Sequence, residues 1–180
     1  MTDFDSDFAR LVADERAATA AQRRARERNL RAAALTDATL AGVLLDLAER
    51  GDRVTIRTAF GRSITGHITL VAQDGLVLEG PLGTSYLRFD GIATVRCRDA
   101  RLPAEPTGDR CPPRSASLAA LLAELALERP RVAVAVAGEG AVVNGELRAV
   151  GADVVTVNVG DAPVYLATRH VSELTVLASG

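Results

Sequence analysis

Two stretches of the chain carry the same rhythm of apolar and polar positions. Leu40, Val43, Leu44 and Leu47 fall at i, i+3, i+4 and i+7, which puts one apolar stripe on a short helix. Leu118, Leu121, Leu122 and Leu125 repeat that stripe 78 positions later. Thr36 or Asp37 is the expected N-cap of the first helix and Ser115 or Ser117 that of the second. Gly51 and Pro130 are the expected stops. After the first helix the period drops to two: Val54, Ile56, Thr58 and Phe60 alternate with Thr55, Arg57 and Ala59, the pattern of a half-buried strand. Further strands are predicted over 63–72, 76–79, 85–89 and 92–97. Asp74-Gly75 supplies a hairpin signal through the positive φ of a type I′ turn. After the second helix the predicted strands are 132–137, 142–150, 154–159, 164–168 and 171–177.

The correspondence extends beyond apolar residues. Arg53-Val54 aligns with Arg131-Val132; after one inserted residue, Gly61 aligns with Gly140, Gly66 with Gly145, Asp74 with Asp153 and Tyr86-Leu87 with Tyr165-Leu166. Such order over nearly sixty residues reads as an internal duplication. A unit of about 60 residues buries only about 60% of its unfolded surface, so the two copies are expected to pack together. The predicted organisation is an N-terminal helical arm (1–36), a first unit (37–97), a Pro-rich linker (98–116) and a second unit (117–180). A helix and five short antiparallel strands per unit describe a small barrel, so the expected fold is mainly β with helices, two five-stranded barrels in tandem.

The helix and five strands resemble the Sm-like fold of Sm proteins and the bacterial RNA chaperone Hfq; SH3-type barrels share the general pattern. The resemblance rests on Gly66-His67-Ile68-Thr69-Leu70-Val71, repeated as Gly145-Glu146-Leu147-Arg148-Ala149-Val150, and on Asp90-Gly91-Ile92-Ala93-Thr94-Val95. It implies a non-catalytic module that binds single-stranded RNA on the loops carrying Arg88, Asp90 and Gly91 and, in the second copy, Arg169 and His170. It also implies strand edges that join units side by side, so that either three duplicated chains make a six-unit ring or the two units of one chain close on each other as a pair. The chain departs from the family where Sm proteins carry an acidic residue six positions after the motif glycine. Here Ala72 and Gly151 occupy those positions, and the Arg-Gly pair is split by Phe89-Asp90. The alternative function is therefore a protein-interaction or self-assembly module, docking itself or another protein through strand edges and the arm.

Composition narrows the chemistry. The chain has 180 residues with Lys+Arg 21 against Asp+Glu 23, and every basic residue is arginine. After residue 118 acids outnumber bases, which does not suit general phosphate binding. The arm holds Arg23, Arg24, Arg26, Arg28 and Arg31, balanced by its own acids, so a solvated helix or one packed on a partner chain is expected. His67 and His170 lack partners at ligand spacing, and Cys97 and Cys111 are too few for a structural metal site, so no metal or cofactor is expected. No nucleophile elbow, Walker or dinucleotide-binding glycine pattern occurs, so no catalytic residue is assigned. Asp74 and Asp153 are expected to bond their own turns, and Tyr86 and Tyr165 to sit in the core or between units. An acidic N-terminus and the absence of a 20-residue apolar run point away from a secretory signal or membrane span and toward the cytoplasm.

Overall fold

The computed structural model describes residues 3–97, 110–112, 116–137 and 142–177, with side chains from residue 15 onward. Most of the predicted linker, Ser115 and the Phe4, Phe8 and Leu11 side chains lie outside the described residues. Helix α1 spans Asp3–Thr36, α2 Leu40–Glu49 and α3 Leu118–Ala126. In the first half the strands are β1 (Arg53–Thr58), β2 (Ser63–Val71), β3 (Gly75–Gly80), β4 (Gly83–Arg88) and β5 (Ile92–Cys97). In the second they are β6 (Arg131–Val136), β7 (Val142–Val150), β8 (Val154–Val159), β9 (Ala162–Ala167) and β10 (Val171–Val176). A 3-10 turn precedes the last strand of each half, Phe89–Gly91 and Thr168–His170.

All ten strands form one antiparallel sheet in the order β5-β1-β2-β3-β4-β10-β6-β7-β8-β9. This corrects the expectation of two separately closed barrels: hydrogen bonding leaves β5 and β9 as open edges and runs without a break through β4 and β10. Within each half the order is the same, last strand, then first to fourth. The register slips also recur, between Ile68 and Leu70 in β2 and between Leu147 and Ala149 in β7. Each slip leaves one residue unpaired and bends the strand. The repeat in sequence is thus a repeat in structure.

Two cores form, one per half. Leu44, Leu47, Val54, Ile56, Ile68, Leu76, Leu78 and Leu87 make the first. Leu118, Leu122, Val132, Val134, Leu147, Val155, Val157 and Leu174 make the second. Each fully buried leucine or valine contributes about 2 kcal/mol by leaving water.

Local details differ from the sequence expectations for identifiable reasons. The cap of α2 is Thr39, whose hydroxyl accepts from Gly42 N at 3.0 Å, rather than Thr36 or Asp37, because α1 runs on through Thr36. Ser117 caps α3 as expected, accepting from Ala120 N at 3.2 Å. Gly51 takes the left-handed turn after α2, but after α3 that conformation falls to Arg129, ahead of Pro130. Phe60 is not a strand residue; β1 ends at Thr58 and Phe60 is exposed in the turn. Gly75 does not take a positive φ but opens β3, and Asp74 accepts from Leu118 N at 2.6 Å instead of bonding its own turn. That bond ties the first half to the start of α3. No helix among the described residues is long and apolar enough to cross a membrane.

Candidate functional site

The feature that sets this molecule apart is the joint where its halves meet. Strand β4 pairs with β10 through Ser85↔Thr175, Tyr86↔Leu174 and Leu87↔Glu173. Alternation puts Ser85, Leu87, Glu173 and Thr175 at this joint almost out of solvent. The polar members satisfy one another. Ser85 Oγ donates to Thr175 Oγ1 (2.8 Å), because the Thr175 hydroxyl itself donates to Glu173 Oε1 (2.9 Å). Arg62, from the β1–β2 turn, closes the chain by donating from Nε to Glu173 Oε2 at 2.8 Å and from Nη2 to Oε1 at 3.3 Å. The Glu173 carboxylate raises the Arg62 pKa above its ordinary value, outweighing the opposing effect of burial. This network was missed from the sequence. Its one signal was an acid, Glu173, in the predicted last strand of the second half, where the first copy has Thr94.

Tyr86 crosses the joint. It packs, half-buried, against the core of the second half and lines a shallow groove with Leu121 and Leu125 of α3. Burial raises its hydroxyl pKa above the ordinary value, and the nearby negative charge of Glu128 adds to that. Its repeat counterpart Tyr165, on the open edge β9, is 71% exposed, a departure from the expected buried role. Likewise Val43 of α2, the counterpart of Leu121, is 39% exposed. The strand β10 is buried along its length, whereas its counterpart β5 is half-buried or exposed throughout.

The expected RNA-contacting residues gather at one end of this joint. Arg88 ends β4 and binds the Asp90 carboxylate through Nε (3.0 Å) and Nη2 (2.7 Å), and its Nη1 donates to Thr168 O at 3.3 Å. Gly91 lies against the start of β10: a Cβ there would stand 3.2 Å from Ser172 O. Arg169 and His170 are exposed, with Arg169 Nε donating to His170 Nε2 at 3.2 Å. The two turns are therefore brought together, while the Arg88 guanidinium is engaged by groups of its own chain. On the far side of the joint, a groove of about 360 Å³ is lined by Arg62, Thr65, Leu82, Ser85, Glu173 and Leu177 among others.

Elsewhere, Arg110 of the linker holds α2 by donating from Nη1 to Asp46 Oδ1 (2.7 Å) and from Nη2 to Glu49. The guanidinium keeps the Glu49 carboxyl below its ordinary pKa. His67 Nδ1 lies 3.0 Å from Gly51 O. Neither cysteine forms a disulfide, and among the described residues no group of three His, Cys, Asp or Glu side chains could hold a metal ion. No protein-family model matches the chain, and no curated protein sequence does so.

Proposed function

We propose that the chain is a non-catalytic assembly module that adds further copies of itself by strand pairing. One observation carries the reading. The open edges β9 and β5 are the repeat counterparts of β4 and β10, the two strands that already pair inside each chain. Both halves of that joint are thus present again at the ends of the sheet, without a strand partner among the described residues. Carrying the internal register over by the repeat spacing sets Val164 opposite Arg96, Tyr165 opposite Val95 and Leu166 opposite Thr94 of the next copy. Tyr165 would then cover Val43, as Tyr86 covers Leu121. Pro163 blunts β9 at a position equivalent to Thr84, outside the three pairs the internal joint uses, so it leaves this register open. The contact is head-to-tail, which closes into a ring when the rotation per chain divides a full turn. The Sm-like resemblance favours a six-unit ring, three chains of 18.9 kDa.

Light scattering on the untagged protein is expected to give a whole-number multiple of the chain mass. Tyr165→Arg and Val43→Arg, both at exposed positions, are expected to lower it while leaving the chain folded. A wild-type mass unaffected by either substitution overturns the reading.

Association with single-stranded RNA is the second reading, supported by the convergence of Arg88–Gly91 and Thr168–His170 at one end of the joint. It requires nucleic acid to travel with the purified protein at low salt and to be removed at high salt. The balanced charge and the engagement of Arg88 by Asp90 place it behind self-assembly.

A further inference from the structure

Helix α1 has no counterpart among the described residues ahead of the second half. At 34 residues it is about 50 Å long, and residues 15–36 are almost all exposed, Leu30 and Leu35 included. Residues 15–36 bury little surface, and the helix propensity of their alanines and arginines supports the helix there. Its charges, however, are sorted along its length. Asp3, Asp5, Asp7, Asp14 and Glu15 stand in the first half against Arg10 and Arg16. Arg23, Arg24, Arg26, Arg28 and Arg31 stand in the second against Glu27. Bulk is sorted the same way. Positions 4, 11, 18, 25 and 32 recur every seven residues and read Phe, Leu, Ala, Ala, Ala, one apolar seam with its large members at the N-terminal end.

We infer that α1 pairs antiparallel with α1 of a second copy of this chain, overlapping it along its full length. In that arrangement the acidic end of each helix lies beside the basic end of the other. Phe4 then comes level with position 35 and Leu11 with position 28, three residues beyond the seam alanines Ala32 and Ala25, and the small-residue stretch Ala17–Ala21 forms the crossing. A parallel pair would set acid on acid, base on base and phenylalanine on phenylalanine. Charge complementarity therefore selects both the partner and its direction. This contact is separate from the strand joint, and neither depends on the other.

The test uses the full chain carrying Tyr165→Arg, so that strand joining is suppressed, and reads mass by light scattering at low and high salt. A two-chain mass is expected. Reversing only the acidic half, with Asp7→Arg, Asp14→Arg and Glu15→Arg, is expected to give single chains, since antiparallel helices would then be basic throughout. Adding Arg23→Glu, Arg24→Glu and Arg28→Glu to that protein is expected to restore the pair. A parallel pair would be indifferent to these reversals, so a dimer surviving the first set overturns the inference, as does a single-chain mass before any arm substitution. If Tyr165→Arg fails to lower the mass, it is the strand reading that falls. The arm is then judged by whether the first reversal lowers that mass and the second restores it.

Discussion

At the scale of single residues, two glycines explain how each half folds so tightly. A Cβ on Gly66 would stand 2.1 Å from Glu79 O, and one on Gly145 would stand 2.2 Å from Asn158 O. These are the same place in the two copies, where the second strand of the half passes close against the third. No side chain fits there, and the obstacle is backbone that cannot swing aside. Gly145→Ala is expected to cost about 3 kcal/mol or more, as overpacking against a backbone does, and chemical denaturation checks it. Glu173 is the other decisive residue. Arg62→Ala would leave its carboxylate buried with only the Thr175 hydroxyl as partner. A buried pair broken on one side costs about 3–5 kcal/mol, but the Arg62 side chain is 42% exposed and its charge partly screened. A loss of about 1–2 kcal/mol is expected, with Arg62→Ala and Glu173→Gln combined costing less than the sum of the two.

At the scale of elements, the matched halves differ in what their edges meet. Strand β10 and Tyr86 are covered because the neighbouring half is part of the same chain; β5 and Tyr165 have the same places in the repeat and face solvent. Tyr86 also makes the joint sensitive to alkali. Its pKa is raised on folding, so the stability its neutral form contributes is fully present below the unfolded value near 10 and is lost as pH rises through the folded value. Denaturation midpoints are expected to fall above about pH 10, and Tyr86→Phe to flatten that fall. A variant with the same alkaline slope as wild type would place the cause elsewhere.

At the scale of the whole molecule, two halves of the same strand order share one sheet with two cores, and the chain is held across its middle by strand pairing, the Arg62–Glu173 pair and the bond from Leu118 N to Asp74. The same geometry leaves two edge strands that are the repeat counterparts of the joined pair, and an arm whose two ends carry opposite charge. The two self-assembly contacts proposed above both rest on that arrangement, and the mass of the protein in solution is the measurement that tests them.

Periodicity alone was enough to place the helices and strands to within a residue or two, because a 3.6- or 2-residue alternation records which side of an element is dry. The duplication was legible for the same reason, with Gly66 and Gly145 marking a close approach that no other residue permits. What the sequence could not hold was the joint. Whether β4 meets β10 or closes on its own half depends on which pairing buries more and leaves fewer edges, and that balance is struck among residues about ninety apart. Hence Asp74 serves α3 rather than its own turn, Glu173 finds Arg62, and two tyrosines in equivalent strands end in opposite surroundings. Local pattern decides what each segment becomes; long-range packing decides which segment it meets.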